Sequence, residues 1–243
     1  AEIQAVHEAC DVPLEVFVHG ALCVSYSGQC YVSQHCFGRS ANRGECAQFC
    51  RLKFDMVDSD GRMIEQGRHL LSLKDMNRGE DLERLLDAGV TSLKIEGRLK
   101  DVAYVKNVTA WYRSRLDEIF KRRPEYRRAS SGQVSLAFTP CLEKSFNRGF
   151  TRYFLDGRTP DIFSFHTPKS LGEEVGTVKE VRGKCIVVSG VKPFANGDGL
   201  CFLDEQGNLQ GFRVNRVEAN KIYPAEMPRV RPHARLYRNF DKA

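Results

Sequence analysis

A change of pattern near residue 131 is the feature that most constrains the fold of this 243-residue chain. Before it, short apolar runs alternate with helical periodicity, and after it only short apolar runs separated by turns remain. Strands that alternate with helices are typical of parallel βαβ units, whereas short strands with frequent turns indicate an antiparallel barrel or sandwich. We predict an α/β region over 1–130, a connector over 131–170 and a small antiparallel β-barrel domain over 171–243.

The α/β region offers only a few strand candidates. Residues Leu14–Val18, Leu70–Leu73 and Val90–Ile95 are short apolar runs, and apolar residues at steps of three and four predict a helix over Asp101–Arg122. The DSDG turn at 58–61 predicts a small hairpin. About three main strands are too few for a closed barrel, so we expect part of a TIM-like (β/α) barrel. This count, with a helical composition at the first residues, predicts a fragment that begins inside a larger fold.

Composition excludes two classes of protein. No run approaches the roughly 18 apolar residues of a membrane span, and the first ten residues lack the pattern of a secretory signal. The nine cysteines are an odd number without regular spacing, which disfavours a secreted disulfide scaffold and favours thiol or metal chemistry. We therefore predict a cytoplasmic protein that does not contact a membrane. The net charge of +6 is compatible with a polyanionic partner but also with many ordinary enzymes.

A loop over 21–50 contains the strongest local signal. Cys23, Cys30, Cys46 and Cys50 lie in this loop, which is rich in glycine and small residues. Four thiolates that converge on one centre suit zinc or an iron–sulfur cluster, because both are held by soft ligands. The spacing is not the paired C-x-x-C of a zinc ribbon, so reduced, partly buried thiols are the alternative.

Charged side chains at predicted strand ends are the candidates for catalysis, because α/β folds place their chemistry there. The candidates are Glu15, His19, Lys74, Asp75, Lys94, Glu96 and Arg98. A histidine that bonds backbone groups is an equal alternative for His19. For Glu15 the alternative is a structural ion pair with Lys94 or Arg98.

Three residues are candidates for substrate binding. Tyr104, together with Arg98, suits a carboxylate or phosphate, and Asn147 with Arg148 combines a cation and a flexible turn beside an aromatic ring. For Tyr104 the alternative is packing on the long helix. For Asn147 and Arg148 the alternative is a structural turn. The basic run over 121–128 and the arginines of the β domain suit phosphate contacts, and a solvated helix end is the alternative for the run.

Several spaced motifs resemble the collagenase-like peptidase family, peptidase family U32. They are EVFVHGALC at 15–23, SGQCYVS at 27–33, GRSANRGECAQFCR at 38–51, HLLSLKDMN at 69–77, AGVTSLKIEGRLK at 88–100 and SFNRGF at 145–150. The short path from Cys50 to Leu70 resembles the branch that forms 5-hydroxycytidine in bacterial 23S rRNA. The branch that forms 5-hydroxyuridine in tRNA has a longer insertion there.

The resemblance implies an oxygen-independent hydroxylase of rRNA or tRNA bases. It implies a [4Fe-4S] cluster on Cys23, Cys30, Cys46 and Cys50, with zinc as the alternative metal, and prephenate as a candidate hydroxyl source. It also implies an N-terminal half of the barrel, absent from this sequence or supplied by a partner chain, without which this chain is not expected to be active.

Two alternatives to the hydroxylase remain. One is a peptidase, as the family name states, and the other is a non-catalytic RNA-binding fragment. Neither HExxH nor GxSxG occurs, which disfavours hydrolysis. His19 and Cys23 are the one obvious base and nucleophile pair.

Overall fold

The computed structural model describes residues 1–190 and 192–242. The α/β region is followed by an all-β region, which confirms the predicted order of fold classes. Whether the first region is half of a TIM-like barrel stays a prediction. Among the described residues, no helix has the length and apolarity needed to cross a membrane.

A four-stranded sheet forms the centre of the α/β region. Its strands are β1 (Leu14–Ala21), β4 (Asp75–Asn77), β5 (Val90–Ile95) and β6 (Phe150–Thr151), in the order β5-β1-β4-β6. β1 is parallel to β5 and β4 is parallel to β6, but β1 and β4 are antiparallel. The sheet is therefore mixed, whereas the strand and helix alternation had predicted parallel units throughout.

One predicted strand is displaced along the chain. The run over 70–73 forms a turn and an isolated bridge, and β4 begins at Asp75. The backbone groups of the run are bonded outside the sheet, because Ser164 N donates to the Ser72 carbonyl and Arg51 donates to the Leu73 carbonyl. These partners lie far away in the sequence, so the apolar run alone could not show where the strand begins.

The helices of the α/β region are α1 (Glu2–Ala9), α2 (Val32–Phe37), α3 (Leu82–Asp87) and α4 (Val102–Arg122). Three of them, α1, α3 and α4, contribute to the core beneath one face of this sheet, and α2 lies in the cysteine loop. The predicted long helix is confirmed, and it begins where the Asp101 carboxylate accepts a hydrogen bond from Tyr104 N at 2.7 Å. Val18 of β1, Val90 of β5 and Val108 of α4 lie in one buried core. The opposite face of β1 and β5 is open, and Phe17 is exposed there.

A hairpin connects the cysteine loop to the sheet. It consists of β2 (Phe54–Val57) and β3 (Met63–Arg68), as the DSDG turn predicts. The Asp58 carboxylate stabilises the turn, because its Oδ1 atom accepts hydrogen bonds from Asp60 N and Arg62 N at 2.9 Å.

The all-β region contains six antiparallel strands. They are β7 (Glu173–Arg182), β8 (Cys185–Ser189), β9 (Gly199–Leu203), β10 (Leu209–Glu218), β11 (Lys221–Pro224) and β12 (Arg235–Phe240). Their order is β10-β11-β8-β7-β12-β9, and β9 pairs back to β10, so the sheet closes on itself. Val178, Ile186, Leu200, Phe202 and Leu236 are among the side chains that fill its interior.

Candidate functional site

The cysteine loop leaves the end of β1, and Arg51 ties its two ends together. The Arg51 guanidinium donates hydrogen bonds to the Leu22 carbonyl (2.9 Å), the Leu73 carbonyl (2.7 Å) and the Ser72 hydroxyl (2.9 Å). The buried ring of His69 contacts the Arg51 carbonyl oxygen through Nδ1 at 2.8 Å. One cation thus joins the end of β1, the end of the loop and the segment before β4.

Three of the four predicted ligand thiols share one neighbourhood. Burial raises the pKa of Cys50, and the thiols of Cys23 and Cys46 raise it further, while the Arg51 charge opposes them. Cys30 lies just before α2. All nine cysteines are free thiols. Cys23 and Cys46 thus lie near enough to Cys50 to act on its charge, and none of the three forms a disulfide.

The metal site itself stays a prediction. Within residues 1–190 and 192–242, no three His, Cys, Asp or Glu side chains are arranged so that they would hold a metal ion. The chemistry of the donor set nevertheless fits a thiolate-bound metal, since four soft ligands lie in one loop beside the half-buried guanidinium of Arg51. The four thiols would have to move closer together to complete such a site.

A buried ion pair lies at the base of the loop. Arg148 Nη1 is 3.0 Å from Asp75 Oδ1, and the two side chains are only 7% and 2% exposed. Arg148 N also donates to Asp75 Oδ2 at 2.8 Å, and Arg148 Nε donates to the Pro168 carbonyl. The sequence predicted both residues for the site, and the structure brings them into direct contact.

Lys100 is a charged residue of the site that the sequence interpretation missed. Its ammonium lies over the Phe146 ring, 3.3 Å from the centroid, and within the described chain it makes no ion pair. Burial lowers the pKa of Lys100, and the nearby charges of Arg148 and Arg51 contribute in the same direction. The only available signal was its position at the end of the KIEGRLK motif. Three cations thus cluster beside the cysteine loop, where Asp75 and Glu96 are the nearby carboxylates.

His19 lies in the interior beside this cluster, with 1% of its surface exposed. Its Nδ1 atom is 3.3 Å from the Tyr112 hydroxyl, and that hydroxyl donates its single proton to the Val18 carbonyl at 2.8 Å. We therefore assign the proton of the neutral ring to Nδ1, which leaves an unprotonated Nε2. Nε2 is buried and has no partner among the described residues. The ring thus presents a free acceptor.

The buried imidazole predicts a pH dependence of stability. Burial lowers the pKa of His19 to about 4, and the Lys100 charge adds to the effect. Between about pH 6.5 and pH 4 the unfolded state binds a proton that the folded state does not, so stability falls as the pH falls through this window. We expect a loss of about 2 kcal/mol between pH 7 and pH 5 from this residue, measured by urea unfolding.

A His19→Gln variant is the control for this pH effect, because glutamine does not titrate. Its unfolding free energy should depend less on pH than that of the unmodified protein by about that same amount. Equal pH dependence in both proteins would contradict the assignment.

The strand end that carries His19 approaches β5 closely. Glu96 N donates to the His19 carbonyl at 2.9 Å, and a Cβ atom on Gly20 would lie 2.6 Å from the Glu96 carbonyl oxygen. Gly20 has a φ of +114°, a conformation that glycine adopts at little cost. Tyr104 is buried, and its hydroxyl donates to the same Glu96 carbonyl at 3.3 Å.

Other predicted site residues lie apart from the cation cluster or have local roles. Glu15 and Lys94 form an ion pair of 3.0 Å on the open face of β1 and β5, and the hydrogen bond from Lys94 lowers the pKa of Glu15. Lys74 pairs with Asp161. Arg98 lies against Gly44 of the cysteine loop. Their catalytic roles stay predictions.

Asn147 shapes the turn that presents Arg148. Its amide nitrogen donates to the Ser145 carbonyl at 2.9 Å, and its amide oxygen accepts from Gly149 N at 3.1 Å. The side chain is buried. These contacts agree with the alternative interpretation of Asn147 as part of a structural turn. Contact between Asn147 and a substrate stays a prediction.

The basic segments suggested for phosphate contacts are largely neutralised. Arg123 pairs with Glu83 and Asp87 at 2.9 Å and 2.8 Å. Arg238 of the β region is buried and pairs with Glu173 and Asp198. The suggested phosphate contacts are therefore wrong for Arg123 and Arg238, because each of them is paired with carboxylates of the chain itself.

Comparison with known proteins gives relatives for this site. The model of Peptidase family U32 matches residues 1–163. The chain is 48% identical to the 23S rRNA 5-hydroxycytidine C2501 synthase of Escherichia coli (strain K12), over 99% of this chain and 38% of that protein. It is 34% identical to tRNA hydroxylation protein P1 of Bacillus subtilis (strain 168), over 73% of this chain and 43% of that protein.

A third relative has a different description. The chain is 32% identical to a collagenase of Porphyromonas gingivalis, over 95% of this chain and 67% of that protein. The chain therefore spans less than half the length of the two RNA-related proteins and two thirds of this one. No solved structure matches the chain significantly.

Proposed function

The chain belongs to peptidase family U32, and from this membership we propose that it is part of an enzyme that hydroxylates an RNA base. The first candidate substrate is a cytidine of 23S rRNA. The observation that carries this proposal is the similarity to the 23S rRNA 5-hydroxycytidine synthase, which extends over nearly all of the chain and includes both regions. Uridine of tRNA is the second candidate, and an RNA substrate fits the predicted cytoplasmic location.

We further propose that Cys23, Cys30, Cys46 and Cys50 hold a [4Fe-4S] cluster, with zinc as the alternative metal. The shared neighbourhood of three of these thiols supports the proposal, and Arg51 would offset part of the thiolate charge. A bound cluster would supply one-electron chemistry. The chain's own contribution would be to hold the loop in place through the three hydrogen bonds of Arg51.

Prephenate is proposed as the hydroxyl source on the family resemblance alone. The cluster of Lys100, Arg51 and Arg148 is the part of the site whose charge would suit a carboxylate. The open face of β1 and β5, where Glu15, Phe17 and Lys94 are exposed, is proposed to meet the N-terminal half of the barrel or a partner chain that supplies it.

Nucleoside analysis tests the proposed function. Deletion of the gene that encodes this chain should remove 5-hydroxycytidine from 23S rRNA, and the full-length wild-type gene should restore it. Digested rRNA and tRNA from both strains would be compared by mass spectrometry. Unchanged nucleosides in both RNAs would contradict the hydroxylase.

The collagenase among the relatives favours a peptidase as the second candidate. A thiol peptidase requires a base beside its nucleophile, but the described contacts of the His19 ring are with Tyr104, Tyr112 and Phe150 and not with Cys23. Release of labelled collagen peptides that is lost in Cys23→Ala would support the peptidase. RNA binding without hydroxylation or proteolysis would support the non-catalytic fragment.

A further inference from the structure

The outer surface of the cysteine loop carries two tyrosines without partners. Tyr26 is 81% exposed and Tyr31 is 63% exposed. Within the described chain, neither side chain makes a hydrogen bond or a ring contact. The other tyrosines are buried, bonded or stacked: Tyr104 and Tyr112 are buried, and Tyr126 bonds Asp87. Large aromatic side chains exposed together mark interaction sites more often than single exposed residues do.

The segment that carries these rings has no acidic residue of its own, although Glu96 at the end of β5 lies against Gly20 near its beginning. Residues 16–44 contain no aspartate or glutamate, although the chain has 31 acidic residues. Arg39 and Arg43 lie in this segment, and Arg98 reaches it from the end of β5 because its guanidinium lies against Gly44. None of these three arginines forms an ion pair within residues 1–190 and 192–242. Glu45, just beyond the segment, is the nearest acid in the sequence, and it accepts a hydrogen bond from Ser40 N.

Unpaired arginines alone do not distinguish the loop, because Arg127, Arg213 and Arg229 also lack an ion pair among the described residues. The loop differs in combining such arginines with two exposed tyrosines in a segment that contains no carboxylate. Positive charge beside aromatic rings is the combination by which proteins bind single-stranded nucleic acid, because phosphates meet the cations and bases stack on the rings.

We propose that the outer surface of the cysteine loop binds unpaired nucleotides of the RNA substrate. Tyr26 and Tyr31 would stack on bases, and Arg39, Arg43 and Arg98 would contact phosphates. The two rings lie within the segment that carries the proposed metal ligands, so nucleotides stacked there would flank the base that is modified. The inference rests on the proposed RNA hydroxylation and assigns the surface that recognises the RNA.

A binding experiment tests the surface directly. The full-length protein would be titrated into a labelled single-stranded RNA oligonucleotide and followed by fluorescence anisotropy. Because base stacking on one aromatic side chain changes affinity by about tenfold or more, we expect Tyr26→Ala/Tyr31→Ala to raise Kd about 10- to 100-fold or more. The Tyr26→Phe/Tyr31→Phe variant keeps the rings and should bind nearly as well as the wild type.

Matched controls separate this effect from misfolding and from charge. Tyr223→Ala changes a tyrosine of the β region and should leave Kd unchanged. Each of Arg39→Gln and Arg43→Gln should weaken binding and lower the slope of log Kd against log salt by about one. Unfolding midpoints of the tyrosine variants should equal that of the wild type, because exposed side chains contribute little to stability.

The outcomes distinguish this inference from the proposed function. Unchanged RNA affinity in Tyr26→Ala/Tyr31→Ala would overturn the surface assignment, even if deletion of the gene removed 5-hydroxycytidine from rRNA. Absence of RNA binding by the wild type would also overturn it, and the surface would then suit a protein partner. Unchanged rRNA and tRNA in the deletion strain would contradict the hydroxylase independently of either binding result.

Discussion

Replacement of Cys50 by serine is expected to remove nearly all iron from the anaerobically purified full-length protein and to abolish RNA hydroxylation. A serine hydroxyl is a poor ligand for the soft iron of a cluster, whereas the wild type should contain about four iron and four sulfide ions per chain. Iron and sulfide analysis with visible absorption spectra would measure the change. Cys23→Ser and Cys46→Ser should behave in the same way, because these thiols lie near Cys50.

Cys36→Ser is the matched control, since Cys36 is an exposed thiol of the same loop and should be dispensable. Cys30→Ser is the decisive member of the series. It tests whether the fourth thiol belongs to the ligand set with Cys23, Cys46 and Cys50. A colourless wild-type protein with one zinc ion would replace the cluster by zinc, and full iron content in Cys50→Ser would remove Cys50 from the ligand set.

The second large effect is expected from Arg148→Met, which would leave the Asp75 carboxylate buried without its counter-charge. Breaking a buried pair in this way costs about 3–5 kcal/mol of stability. Urea unfolding followed by fluorescence of Trp111 would measure it. The single tryptophan of the chain lies on α4 and packs against the core of the α/β region, so its signal reports on the region that holds the ion pair.

Lys94→Met is the control for this prediction. It breaks the ion pair between Lys94 and Glu15, in which both side chains are about half exposed, and it should cost much less stability than Arg148→Met. In Arg148→Met/Asp75→Asn the stranded charge is gone, so this variant should recover part of the lost stability. Equal losses in Arg148→Met and Lys94→Met would show that the buried pair contributes no more than a surface pair.

The local sequence pattern was sufficient to predict the strands and helices whose own residues form a clear apolar or turn pattern. β1 and β5 follow from short apolar runs, α4 follows from apolar periodicity, and the hairpin follows from its turn. The strands β11 and β12 are partly polar and do not stand out as apolar runs. β11 pairs with its chain neighbour β10 and with β8, whereas the partners of β12 are β7 and β9, which lie far away in the sequence.

Some parts of the candidate site could likewise be predicted from the sequence, and others could not. The cysteine loop and the motifs at the strand ends could be found in the sequence, because their residues are close together along the chain. The contact between Asp75 and Arg148 joins positions 73 apart, and no local pattern predicts it. Lys100 was missed because a lysine after a strand looks solvated until the rings of Tyr104 and Phe146 are placed beside it.

By itself, the sequence determined the order of fold classes, the ligand-type cysteines and the family resemblance, since each depends on residue type and spacing. Only the tertiary structure decided which charged side chains form ion pairs within the chain. It buried Arg148 against Asp75 and paired Arg123 and Arg238, but it left the arginines around the cysteine loop unpaired. The physical reason is that the effect of a charge depends on its burial and on its partner, and folding brings the partner from elsewhere in the chain.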